Sequence, residues 1–183
     1  MPLAAACRGG GAKDSGTGDG AGAGTEATVV TAPAKEIVPD LSSLGYKLVD
    51  EFAQPFNIPG QDNFRRAFVR EANINRVALV DVTVHATLDA ARTAYEQVAK
   101  QWGNPPPGIF TGIEGFDEAI SPTVGDEQQS YVSSNVDVAG NRAWTDVYRA
   151  GNVVFVIQLL DRGDSDQLDL RRQLAEEVVA RIP

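Results

Sequence analysis

The chain has 183 residues, 43% of them hydrophobic, and a formal net charge of −9. That length suits one ordinary domain, and the acidity argues against a phosphate backbone as partner, so no nucleic acid is expected. No run of 18 apolar residues occurs, so no segment is read as a membrane-spanning helix.

Composition divides the chain. From Arg8 to Pro39 it is dominated by Gly, Ala, Thr, Ser and Asp without an aromatic residue, whereas all seven Phe, both Trp and all four Tyr follow Leu41. A segment without bulky apolar groups cannot offset the entropy lost when its backbone orders. Residues 1–40 are therefore read as a disordered tether and 41–183 as one domain. That domain holds 13 Lys/Arg against 20 Asp/Glu, a net −7, so the acidity belongs to the folded part.

Cys7 is the only cysteine, preceded by Ala4-Ala5-Ala6 and followed by Gly9-Gly10-Gly11. This pattern resembles the lipobox and tether of bacterial lipoproteins, in which the cysteine thiol receives a diacylglycerol and the leader is cut just before it. The resemblance implies lipidation of Cys7, a lipid bilayer as partner, and a place on the outer, extracytoplasmic face of the cell membrane. Only six residues precede Cys7, too few for the charged and apolar regions of a signal peptide, so it also implies a start upstream of Met1. Two acyl chains make a stable anchor. A flexible coil of about 33 residues would set the domain roughly 30 Å from the bilayer.

Within the domain, Tyr46–Phe52 reads as a first strand and Phe64–Glu71 as a second. Ala72–Asn75 turns the chain into a third strand, Arg76–Thr87. There Val80, Val82, Val84 and Ala86 share one face, opposite Asp81, Thr83, His85 and Thr87. Thr87 caps a helix in which Leu88, Ala91, Tyr95, Val98, Ala99 and Trp102 recur at helical spacing. Gly103 and the Asn104–Gly108 loop stop it. A further short strand is placed at Thr111–Phe116. Gln129–Val138, Asn141–Arg149 and Val153–Leu160 follow, joined by Ala139-Gly140-Asn141 and Ala150-Gly151-Asn152, which read as tight hairpins. The last of these strands is apolar on both faces and must be covered on both. Leu170, Leu174, Val178 and Ile182 then form a helical stripe, with Arg171, Arg172 and Arg181 on the outer part.

The element order predicts an α+β fold, a mainly antiparallel sheet of two three-stranded meanders with two helices packed on it. Gly125-Asp126-Glu127, the Trp144–Arg149 strand and Gly151-Asn152-Val153-Val154-Phe155 before a terminal helix resemble small extracytoplasmic bacterial domains of the PsbP/Mog1-like kind. The resemblance, carried by a hairpin signature, covers about the last 70 residues and the first half only by element order. It implies a binding or assembly role and brings no catalytic residues.

Several chemistries find no support. His85 is the only histidine and no Gly-x-Ser-x-Gly elbow occurs, so His85 is read as an ordinary surface or half-buried residue. Cys7 lies in the tether, which removes a thiol nucleophile and a Cys/His zinc site from the domain. The glycines of Gly16–Gly24 follow no strand, so no nucleotide loop is read and no cofactor is expected. Asp161, Asp164, Asp166 and Asp169 form a weak calcium candidate that lacks the EF-hand glycine and terminal glutamate; helix capping is the simpler reading. Glu114, Asp117, Glu118, Asp126 and Glu127 make a second acidic group. Arg65, Arg66, Arg70 and Arg76 read as a solvated strand edge or, more sharply, as a patch for anionic head groups. Tyr95 and Trp102 are read as core, and Trp144 with Tyr148 as core or the lining of a groove. The expected role is thus non-enzymatic: a lipoprotein ectodomain that binds a protein or small ligand. The alternatives are a soluble carboxylate- or calcium-dependent enzyme and a cytosolic adaptor.

Overall fold

Alternation of β-branched residues dictates the centre of the molecule. The computed structural model describes residues 29–53, 58–103, 112–162 and 167–183. In it β3 (Asn73–His85) buries Ala78, Val80, Val82 and Val84 on one face. β1 (Tyr46–Ala53) and β2 (Gln61–Arg70) precede it as an antiparallel meander. After α2 (Leu88–Trp102) come β4 (Phe116–Ala119), β5 (Glu127–Ser133), β6 (Asn141–Ala150) and β7 (Val153–Arg162), again antiparallel neighbours. The two halves join through β3 and β7, from Val77↔Leu160 to Val84↔Val153. One seven-stranded sheet results, in the order β1-β2-β3-β7-β6-β5-β4. This is the α+β architecture the sequence predicts, with β4 added at the far edge and lying later than Thr111–Phe116.

β7 is apolar on both sides, and each side is covered. Val153, Phe155, Ile157 and Leu159 face a core closed by α1 (Ala34–Ile37) and by Leu174, Ala175 and Val178 of α3 (Leu168–Val179). Val154 and Val156 face α2, whose Ala91, Tyr95 and Ala99 pack on Val147 and Val154. Thr87 caps α2 as expected, its Oγ1 accepting from the Ala90 N–H at 3.1 Å. Tyr131 ties the far end of α2 to the sheet by donating its hydroxyl to the Ala99 carbonyl at 2.7 Å. Gly125 is fixed by geometry: φ is +76° and a Cβ would lie 2.6 Å from the Arg149 carbonyl oxygen.

Three expectations are corrected by this packing. The domain does not start at Leu41. Val30, Ala34, Ile37 and Val38 are buried in the main core, so the arm from Val29 belongs to the fold. Four aliphatic side chains at helix-compatible spacing suffice there, and a criterion built on aromatic residues misses them. Asn152 holds the arm, its Oδ1 accepting from the Val30 N–H at 2.7 Å and its Nδ2 donating to the Val30 carbonyl at 2.9 Å and the His85 carbonyl at 2.5 Å. Second, Arg171 does not line the outer part of α3; it is fully buried, its guanidinium donating to both Asp146 oxygens and to the Ile120 carbonyl. Third, β5 ends at Ser133 rather than Val138; the tight turn at Ala139–Asn141 is present, with Gly140 at φ +79° donating its N–H to the Asp137 carbonyl at 3.0 Å, the Asp137 N–H donating to the Asn141 carbonyl at 2.8 Å, and the Asp137 carboxylate accepting from the Ala139 and Asn141 N–H groups. The Gly151-Asn152 hairpin is present, with Gly151 at φ +59°.

Asn152→Ala would strip the buried Val30 and His85 backbone groups of their partner. We expect a loss of about 2–4 kcal/mol in urea denaturation, accompanied by fast amide exchange at Val30; unchanged exchange there would show that the arm is held by apolar packing alone.

Candidate functional site

α2 covers only part of its face of the sheet. It lies over β6 and β7 and ends at Trp102, so the α2-side face of β2 and β3 is left beside it. Two cross-strand rungs lie there, Asn63–Thr83–Val154 and Arg65–Asp81–Val156. With Gln158 they form the floor of a groove of about 240 Å³, and Val98, Gln101 and Trp102 of α2 form its wall. An antiparallel sheet commonly leaves part of one face solvated, and the alternation of β3 puts its polar residues there.

The floor is a small hydrogen-bond network. Asn63 Nδ2 donates to Asp81 Oδ1 at 2.5 Å and to Thr83 Oγ1 at 2.7 Å. Arg65 Nε donates to Asp81 Oδ2 at 2.7 Å, and a second guanidinium nitrogen bonds the same oxygen. The Arg65 guanidinium also sits over the Phe52 ring, 5.4 Å from its centroid. The one cation and one anion of the floor are therefore spent on each other. Two polar atoms are not spent: Asn63 Oδ1 and Gln158 Nε2 are buried and have no partner. Both hydrogens of the Asn63 amide are already committed, so what remains is a bare acceptor; Gln158 offers a bare donor. Each such group costs about 1–3 kcal/mol when left unpaired.

The residues singled out by sequence lie elsewhere. Trp144 and Tyr148 are buried in the main core, and Tyr148 stacks on Phe155 at 4.8 Å. Burial and the neighbouring Asp146 push the Tyr148 hydroxyl far above the usual phenol range. Of the calcium candidate, two residues are described. Asp161 is buried and neutralised by Arg70 at 3.1 Å and Arg76 at 3.0 Å, which leaves no charge to attract a cation. Asp169 stands exposed beside Arg172, and Asp164 and Asp166 lie outside the described residues, as does Cys7. Among the described residues no three His, Cys, Asp or Glu side chains gather as metal ligands. Asp126 and Glu127 of the second acidic group pair with Arg149. The four arginines do not form one patch: Arg65 serves Asp81, Arg66 serves Glu51 and the Val38 carbonyl, and Arg70 and Arg76 serve Asp161.

Comparison with known proteins extends the description. No protein-family model matches the chain, and no curated protein matches it in sequence. Among solved structures it is similar to the extracellular domain of PknH from Mycobacterium tuberculosis, at 13% identity and a TM-score of 0.59, covering 81% of this chain and 94% of that one. The Rv0999 ortholog of Mycobacterium smegmatis also aligns, at 13% identity and a TM-score of 0.43, over 80% and 98% of the two chains. The likeness to the PknH domain is one of fold.

His85 is more deeply placed than its strand position suggested. It is 3% exposed, and neither ring nitrogen has a partner. It borders a shallow second cavity of about 330 Å³ between the Val29–Thr31 arm and Gly60–Asp62. Burial lowers its pKa below the ordinary imidazole value. Below about pH 6.5 the unfolded chain therefore takes up a proton that the folded chain resists. Stability is expected to be complete above that pH and to fall as pH drops toward the lower folded value. His85→Gln should flatten the change in urea midpoint between pH 7.5 and 5.5, and an unaltered slope would show that the imidazole reaches water. At the groove, Gln158→Leu removes an unpaired buried donor and is expected to raise stability by about 1 kcal/mol in thermal melts; a lowered melting temperature would mean that the amide is satisfied in solution.

Proposed function

We propose that the chain is the non-catalytic binding domain of an extracytoplasmic lipoprotein, anchored through an acylated Cys7, and that it takes a small polar ligand in the groove beside Trp102. One observation carries the binding role: an open groove whose floor holds a bare buried acceptor, Asn63 Oδ1, and a bare buried donor, Gln158 Nε2. Folded proteins satisfy nearly all such groups, and unpaired ones on residues that line a concavity are groups a ligand could complete. The absence of catalysis is supported by the groove's chemistry. Its lining has no histidine, cysteine or serine, and Asp81, its only carboxylate, is held by Arg65 and Asn63. The extracytoplasmic setting and PsbP/Mog1-like build rest on Cys7 after three alanines, on the Gly-rich segment behind it, and on the fold shared with an extracellular domain.

Two measurements test this. Titration of the isotopically labelled full chain with a library of small polar compounds is expected to shift the Asn63 and Gln158 side-chain amides and the Trp102 indole. No shift at these positions with any compound, or turnover of one, would reject the binding role. Expressed from its own locus, the protein should incorporate an alkyne-tagged fatty acid, and Cys7→Ser should abolish the label; retention of the label in that variant would reject the anchor.

A further inference from the structure

We infer that the ligand of the Trp102 groove is a neutral saccharide, one ring of which lies against the indole; this rests on the binding role proposed above. The charge of the site comes first. Arg65 and Asp81 neutralise each other, and the folded part, counted from Val29, carries 14 Lys/Arg against 22 Asp/Glu, a net −8, so neither a phosphate nor a carboxylate finds an unpaired cation there. The ligand must nevertheless supply a donor to Asn63 Oδ1 and an acceptor to Gln158 Nε2. A hydroxyl is both, and neighbouring ring hydroxyls present the two functions in any order.

The wall adds a second requirement. Trp102, at the last turn of α2, offers aromatic surface to a groove whose floor is built of two amides, a hydroxyl, an ion pair and the side chains of Val154 and Val156. A pyranose has the matching asymmetry, with C–H bonds on its ring face and hydroxyls around its rim. The electron-rich face of an indole attracts polarised C–H groups. A volume of about 240 Å³ suits one or two sugar rings rather than a long chain.

Other occupants fit less well. A nucleobase read by asparagine needs the donor and acceptor of the amide together. Asn63 has spent both donor hydrogens on Asp81 and Thr83. An extended peptide needs a free strand edge. The groove lies on the face of β2, β3 and β7, whose backbone groups already pair with one another.

Saturation-transfer difference NMR on the full chain, with glucose, galactose, mannose, arabinose, N-acetylglucosamine and trehalose as probes, tests the class. At least one sugar is expected to give transfer strongest at its ring C–H protons. Trp102→Ala should weaken its binding about tenfold or more, and Trp102→Phe less. Gln158→Leu, which is expected to fold at least as well as the parent, should weaken it about fivefold. Sugar binding untouched by both variants would overturn the site. If no sugar binds but adenosine or a fragment library shifts the groove amides, the saccharide class is wrong and the groove stands. If neither sugars nor those compounds shift them, both readings fall.

Discussion

Everything else in the molecule depends on the pairing of β3 with β7. Each half supplies antiparallel neighbours linked by turns, and neither half alone would bury both faces of its inner strand. Eight registered pairs from Val77↔Leu160 to Val84↔Val153 merge them. A shift of one residue would turn Phe155, Ile157 and Leu159 from the main core toward α2 and reverse the sense of every rung. The groove is a product of the same register. Asn63, Arg65, Asp81 and Thr83 come from the first meander and Gln158 from the second, and only the β3–β7 seam places them on one floor.

The two faces are covered unequally, and that asymmetry separates stability from binding. One face receives α1, α3 and the Val29–Val38 arm, and it contains two buried ionic clusters, Arg171 with Asp146 and Asp161 with Arg70 and Arg76. Buried charges of this kind contribute little net stability but penalise any packing that separates the partners. Among the described residues the other face receives α2, and a helix of 15 residues leaves the rungs of β2 and β3 beside it. The main core therefore sits on one side of the sheet, and the smaller α2 cluster with the groove beside it on the other.

Much of this was legible in the sequence. The strands, the Thr87 cap and the double-sided burial of β7 follow from alternation, helical period and turn chemistry. What period cannot give is how far a helix reaches across a sheet. Asp81 and Thr83 were recognisable as the polar face of β3, yet nothing local says that α2 stops short of them. Trp144 and Tyr148 alternate on one strand in the same way, and their face happens to be the covered one. Arg171 shows a related limit. It lies three and four positions from Leu174 and Ala175, within the inward arc of α3, and only its charge suggested the outside. The arm from Val29 to Val38 escaped notice because its anchor, Asn152, is 122 residues away from Val30 in the chain.

That anchor also sets how the domain meets mechanical load. A pull applied upstream of Val29 arrives at Val30, whose N–H and carbonyl are both held by the Asn152 side chain at the tip of the β6–β7 hairpin. Under such a load these two side-chain bonds would be strained before the eight-pair backbone ladder between β3 and β7, so detachment of the arm would precede rupture of the sheet.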